Sequence, residues 1–425
     1  MKASILIIGD EILNGTTTDT NSSFIAKKCA EYGINIQTIT AISDKYDAIN
    51  YGLKNIPSNS EIVFITGGLG PTKDDITLKA LADFFNQDLV FNEEVYKKIK
   101  AYFEKRGKGQ VELNKKLALL PENCTLIQND NGTAQGMWFE EDGKIYISMP
   151  GVPYEMENML VKHVLPKLQG AFNLPPILNK YIMTAGIGES AIAEKIKDIE
   201  GELPENISLA YLPSLRLVKL RLTASEFSDD NEKLIIDFQN KIAQRLEKYV
   251  FSLNENDSLE KVLGQILIGK NATLSTAESC TGGLIAHKIT SIAGSSAYYM
   301  GSIISYSNDI KMKELGVQKS TLDNFGAVSE ATVVEMLKGL LKKTNTTYGI
   351  TVSGVAGPGG GTPEKPVGTV WIAVGNKDNF ATRKYHLTPY RGINIQLSAV
   401  LALNLLRRFL KNSLEKRGAS NEVLN

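Results

Sequence analysis

The sequence predicts an α/β protein of several domains, with two three-layer α/β domains separated by a small α+β module. Three observations carry this. Short apolar strands alternate with helical patterns near both ends of the chain. Glycine-rich and acidic loops fall just after strand ends, where open α/β sheets bind ligands. Two breaks, Pro175-Pro176 and Asn254-Glu255-Asn256-Asp257, read as linkers, and 425 residues exceed what one core holds. The boundaries expected are 1–170, 171–253 and 254–425.

In the first segment the apolar run 5–8 is a strand, 24–32 a helix, 34–42 a strand, 48–56 a helix and 62–66 a strand. That βαβαβ order implies a parallel sheet covered on both faces. Asp142-Gly143, between strands at 138–140 and 144–148, signals a hairpin. The middle segment has a strand at 181–185, a helix to 199, an alternating strand at 215–222 and a helix over 231–249. The last returns to α/β, with helices at 259–268, after Ser329 and at 393–410, and strands at 272–276, 298–305, 348–353 and 369–374. Ser329 is the expected cap of a helix whose Val333, Met336, Leu337 and Leu340 share one apolar face.

Composition excludes several classes. Apolar residues make up 43% and charged residues 22%, as in an ordinary globular protein. Basic and acidic residues both total 47, so no global field draws nucleic acid, and none is expected as a partner. Three scattered cysteines give neither a disulfide framework nor metal spacing, which fits a reducing cytoplasm. The opening apolar run is short and ends at Asp10-Glu11, a core strand rather than a signal peptide. No apolar run reads as long enough to span a membrane.

The chemistry concentrates in two places. Ala277-Glu278-Ser279-Cys280-Thr281-Gly282-Gly283 follows a strand and opens a helix, a turn that lifts a nucleophile and aims backbone N–H groups from Thr281 to Gly283 at its target. Downstream Tyr306 and Lys311 suggest a serine activated by tyrosine or lysine. Read structurally, the glycines only permit close packing and Ser279 caps a helix. His163, His287 and His386 sit in no triad spacing, and Cys280 is the rival nucleophile. The glycines at 354–361, including Gly357, Gly359 and Gly360, form a hairpin loop or a nest for an anion. Arg391 is a bidentate phosphate clamp or a surface arginine.

The second place is Thr66-Gly67-Gly68-Leu69-Gly70-Pro71-Thr72-Lys73-Asp74-Asp75. Backbone N–H groups of Gly67, Gly68 and Gly70, with Thr72, can cradle a phosphate, while Asp74 or Asp75 holds a divalent metal or a water. The plain alternative is a tight turn with capping aspartates. Asp10 and Glu11 after the first strand, and Asp44 after the second, bring more carboxylates to the same edge.

Taken together, Gly9-Asp10-Glu11-Ile12-Leu13, the 66–77 motif, Met149-Pro150-Gly151-Val152-Pro153 and 277–283 resemble the CinA family, the competence/damage-inducible protein A, over essentially the whole chain. The resemblance implies a molybdopterin-binding-like first domain that hydrolyses ADP-ribose with a divalent metal, Asp44 and Asp75 matching its acidic positions. It implies a KH-like middle module; the turn here reads Gly186-Ile187-Gly188-Glu189, without a basic pair, so RNA binding is not implied. It implies a last domain that deamidates nicotinamide mononucleotide (NMN) without a cofactor, with Ser279 as nucleophile and Tyr306 and Lys311 as its partners. Two alternatives stay open: a non-catalytic pterin or nucleotide binder in the first domain, and an accessory to DNA uptake. Apolar faces such as 393–406 leave room for a homodimer.

Overall fold

The computed structural model describes residues 1–70, 76–105, 112–172, 177–225 and 227–415. The chain divides into two compact units, one built on Met1–Leu178, the other on Asn179–Ala224 with the chain from Asp229 onward.

The first unit carries strands β1 (Lys2–Ile8), β2 (Asn35–Ile42), β3 (Ile62–Thr66), β4 (Leu89–Phe91), β5 (Leu119–Pro121), β6 (Thr125–Ile127), β7 (Gly136–Glu141) and β8 (Lys144–Met149). Six of them form one sheet in the order β2-β1-β3-β8-β7-β6, and β4 pairs with β5. Apolar residues run unbroken from Ile5 to Ile8 in β1 because both faces are covered. Ile5 and Ile7 face one core layer with Ile25 and Met156, while Leu6 and Ile8 face the other with Leu53 and Leu81. The sheet is mixed, not parallel throughout. β7 runs antiparallel to β8, because the Asp142-Gly143 turn, with φ of 48° and 73°, folds the chain back from β7 into β8, and β6 is antiparallel to β7 in turn.

The second unit begins with the small α+β module: β9 (Leu178–Ala185), β10 (Ile207–Ser214), β11 (Leu217–Ala224) and β12 (Val250–Ser252), in the order β10-β11-β9-β12. The strand expected at 215–222 is displaced. Leu215 and Arg216 form a hairpin turn, Arg216 at φ 58°, between β10 and β11. The last domain follows with β13 (Leu274–Glu278), β14 (Tyr299–Ile304), β15 (Tyr348–Gly354), β16 (Thr369–Gly375) and β17 (Phe380–His386). Their order is β14-β13-β15-β16-β17, with β13 parallel to both neighbours and β15, β16 and β17 successively antiparallel. β17 is a half-exposed edge strand, and its mixed Phe-Ala-Thr-Arg-Lys-Tyr-His run gives no clean alternation to read.

The closing helix, Arg391–Glu415, corrects the expectation about membrane length. Its stretch Arg391–Lys411 is long and apolar enough to span a bilayer, but most of it is buried. Leu397, Val400, Leu401, Leu405 and Leu406 pack into the core under β13, β15 and β16, so it is a core helix. The same helix fastens the small module. Buried Arg407 donates to the carbonyl oxygens of Val250 (3.0 Å) and Lys248 (3.5 Å), and burial pulls its pKa down to about 10. Gly186, at φ 81°, lies so close that a Cβ there would meet Asn404 Nδ2 at 2.8 Å.

Candidate active site

β13 is central in its sheet, flanked by parallel neighbours, and its carboxyl end delivers Glu278 and Ser279 to the ligand-binding edge of the domain. Ser279 N–H donates to the Val352 carbonyl oxygen at 3.0 Å, which fixes the turn against β15. Gly282 (φ 62°) and Gly283 (φ 102°) then take left-handed conformations that residues with a Cβ rarely adopt, and the helix Leu284–Thr290 starts.

Glu278 is the residue that sequence reasoning missed. Its carboxylate is fully buried and accepts from the N–H groups of Gly283 (3.1 Å), Ile285 (3.0 Å) and Ala286 (2.9 Å). A buried anion is tolerated here because it caps a helix start with three backbone donors. The signal was a lone charge at the end of the buried strand Leu274–Glu278, immediately before the hydroxyl.

This narrows the supply of oxyanion donors. Gly283 N–H is committed to Glu278 and Gly282 N–H to the Ser279 carbonyl oxygen at 3.2 Å. Among the described residues the N–H groups of Cys280 and Thr281 meet no acceptor. Thr281 Oγ1 is also buried without a partner, beside the nucleophile.

Lys311 sits on the helix Asn308–Leu315, which Ser307 caps by accepting from Ile310 N–H at 3.2 Å. The side chain runs inward and is 1% exposed. Its Nζ lies 3.0 Å from Ser279 Oγ, 2.7 Å from the Ser305 carbonyl oxygen and 3.2 Å from that of Tyr306. Burial lowers its pKa from 10.5 to about 8. The geometry decides what a neutral amine does there. Two N–H bonds go to the two carbonyl oxygens, and the lone pair is left facing the serine hydroxyl.

Tyr306 is placed differently. Its hydroxyl is exposed and accepts from the Arg391 guanidinium at 3.2 Å, and no hydrogen bond joins it to Ser279 among the described residues. Arg391 also donates to the Gly357 carbonyl oxygen at 2.9 Å, so it ties the glycine-rich loop to the mouth of the site. Gly357 (φ 92°) is pinned under Val367, Gly360 (φ 84°) is near Val355 only, and Gly359 faces open space. Cys280 is buried in the core, and burial pushes its thiol up to about 12, so the thiolate is unavailable.

In the first unit, Gly67 (φ 108°) and Gly68 (φ 66°) turn the chain at the end of β3. A Cβ at Gly67 would overlap the Ile8 carbonyl oxygen, and one at Gly68 the Thr77 hydroxyl. Asn21 braces this edge, donating to Thr66 Oγ1 (3.0 Å) and to the carbonyl oxygen of Gly151 (2.8 Å). Asp10 and Glu11 lie exposed on a short helix, Asp10–Leu13, after β1, with Asp44 just after β2. Burial raises the Asp44 pKa, the Asp10 carboxylate beside it raises it further, and Glu11 adds a smaller push. Thr72, Asp74 and Asp75 lie outside the described residues, and Gly70 closes the described part of the loop. Among the described residues no three acidic, histidine or cysteine side chains group closely enough to hold a metal by themselves.

Fold and site together define a multidomain α/β protein with a lysine-paired serine on a strand-to-helix turn. Family models match in the same chain order: the probable molybdopterin binding domain over residues 4–170, the damage-inducible protein CinA KH domain over 179–252 and the CinA C-terminal domain over 256–410. A CinA-like protein of Cytophaga hutchinsonii is 46% identical over 412 residues, 96% of this chain and 98% of that one. One from Flavobacterium psychrophilum is 41% identical over 415 residues, 97% of this chain and 99% of its own. A crystal structure of a CinA superfamily protein from Klebsiella pneumoniae is 33% identical and covers 36% of this chain and 96% of its own, with a TM-score of 0.36. The chain belongs to the CinA family.

Proposed function

We propose that the last domain is a serine–lysine amidohydrolase that converts NMN to nicotinic acid mononucleotide and ammonia. The contact between Lys311 Nζ and Ser279 Oγ carries the reading, because a buried lysine with a depressed pKa and, among the described residues, no carboxylate partner is suited to proton abstraction. Neutral Lys311 takes the hydroxyl proton as Ser279 Oγ bonds to the carboxamide carbon. The carbonyl oxygen becomes an oxyanion, for which Cys280 and Thr281 supply backbone N–H groups, an effect of about 3 kcal/mol per donor. The C–N bond breaks as Lys311 returns its proton to nitrogen, and ammonia leaves. Water then attacks the ester, with Lys311 again as base, and frees the carboxylate and Ser279. Arg391, Gly357, Gly359 and Gly360 hold the phosphate end, with Tyr306 as its neighbour. The test is ammonia release from NMN, which Ser279→Ala abolishes; equal release by the variant contradicts the reading.

For the first domain we propose metal-dependent hydrolysis of the ADP-ribose pyrophosphate. The mutual repulsion of Asp10 and Asp44 supports a cation between them. Hard oxygen donors suit a magnesium-type ion held by one or two carboxylates plus substrate phosphates. Such an ion would neutralise phosphate charge and acidify a bound water. Asp10, Asp44 and Glu11, with Asp74 and Asp75, would hold it; Gly67, Gly68, Gly70 and Thr72 would cradle phosphate. The second reading is a pterin or nucleotide binder without turnover. Loss of ADP-ribose on adding magnesium, reversed by chelation, decides between them. The further proposals are a cytoplasmic homodimer with small nucleotides, not nucleic acid or membrane, as partners.

A further inference from the structure

Glu278 is fully buried and contributes no atom to the reaction, yet it is tied to each of the reagents. Its Oε2 accepts from the N–H groups of Gly283 (3.1 Å) and Ile285 (3.0 Å), and its Oε1 from that of Ala286 (2.9 Å). The hydroxyls of Thr276 on β13 and Ser302 on β14 lie 3.4 Å from the same Oε1. A carboxylate has acceptors enough for all of these and no donor to oppose them, whereas glutamine would turn an NH2 toward one backbone N–H. This grip has a geometric consequence. Gly283 N–H is drawn onto the carboxylate, and the left-handed Gly282 and Gly283 fold the turn back toward Ser279. Among the described residues, Cys280 and Thr281 are left with the N–H groups that meet no acceptor. The main chain reaches the base as well. The Glu278 carbonyl oxygen accepts from Ser305 N–H at 2.9 Å, and the Ser305 carbonyl oxygen takes Lys311 Nζ at 2.7 Å.

We propose that Glu278 is a positioning residue for the hydrolysis: its carboxylate holds the turn 279–283 so that the N–H groups of Cys280 and Thr281 face the developing oxyanion. The inference rests on the serine–lysine reading of this domain and adds what shapes its oxyanion site. Donors fixed in advance lower the barrier because nothing has to reorganise as charge develops. Without the carboxylate, Gly283 N–H has to find another acceptor, and the turn moves with it. A displacement of about 1 Å costs on the order of 10²-fold in rate.

The experiment is labelling of the full chain by a small alkyl fluorophosphonate, followed by intact mass, with Ser279→Ala as the blank. Ser279 Oγ bonds to phosphorus, fluoride leaves, Lys311 takes the hydroxyl proton, and the phosphoryl oxygen occupies the place of the oxyanion. The expected labelling rate constant falls about 10²-fold in Glu278→Ala and less in Glu278→Gln, whose amide oxygen still accepts from Gly283 and Ile285. The final labelled fraction matches wild type in both. The pH midpoint of the rate stays in place, because burial is what lowers the Lys311 pKa. Ser302→Ala, which removes a Glu278 neighbour away from the turn, labels at the wild-type rate. An unchanged rate in Glu278→Ala, a lowered final fraction with the rate constant intact, a shifted midpoint, or an equal loss in Ser302→Ala would each overturn it. Where Glu278→Ala does not fold, Glu278→Gln carries the comparison, and a wild-type rate there overturns the inference. Ammonia release from NMN is scored separately. No release from wild type, with labelling slowed in the variants, sinks the substrate and keeps the positioning; release with labelling indifferent to Glu278 does the reverse.

Discussion

The two candidate sites are electrostatic opposites. At the end of β13 a buried lysine has no carboxylate partner among the described residues, and its partners are a hydroxyl and two carbonyl oxygens. At the ends of β1 and β2 carboxylates crowd one another, and among the described residues no cation side chain relieves Asp44. The first arrangement lowers a lysine pKa and yields a base from the protein alone. The second raises a carboxylate pKa, and the proposed metal site rests on that imbalance. Similar sheet edges, built by similar strand-loop-helix order, therefore point to two different reagents.

The largest effect that sharpens this comparison is on ammonia release. Ser279→Ala and Lys311→Met should each cost about 10³-fold or more with NMN, while ADP-ribose loss is unchanged. If Lys311→Met retained the rate and Tyr306→Phe lost it, the base would be misassigned. Chelation separates the sites next. It should stop ADP-ribose turnover and leave NMN deamidation intact, and Asp44→Asn should weaken magnesium activation at least about tenfold. Chelator-sensitive ammonia release would erase the contrast.

Stability should show the same asymmetry. Lys311 titrates near pH 8 when folded and near 10.5 when unfolded, so between those values the unfolded chain carries the extra proton. Stability therefore rises with pH across that window, and below it the buried charge costs up to about 3 kcal/mol. Lys311→Met should flatten the rise and be more stable than wild type at pH 7, read by denaturant unfolding. The smallest effect is at the mouth. Arg391→Met should raise KM for NMN about tenfold with little change in kcat, since it loses a charged contact to phosphate away from the reacting atoms.

How much of this was legible follows from the range of the interactions. The strands at 5–8 and 62–66 and the turn at 277–283 are local patterns, and the periodicity and glycines announce them. Ser279 could be singled out because its turn is written in consecutive residues. Glu278 could not, because three backbone N–H groups of the next helix decide its role. The choice between Lys311 and Tyr306 was open for the same reason; it turns on which side chain goes inward. β10 was hidden by a turn whose Arg216 adopts a positive φ without glycine to mark it.

The most direct test of the contrast is the pH dependence of ammonia release from NMN by chelated wild-type protein, with Ser279→Ala as the blank. The account predicts release that persists without metal, climbs with pH as Lys311 loses its proton, levels above about pH 9 and is absent from the variant. Release that needs metal, or that is flat across pH 7 to 9, or that survives in Ser279→Ala, would contradict it.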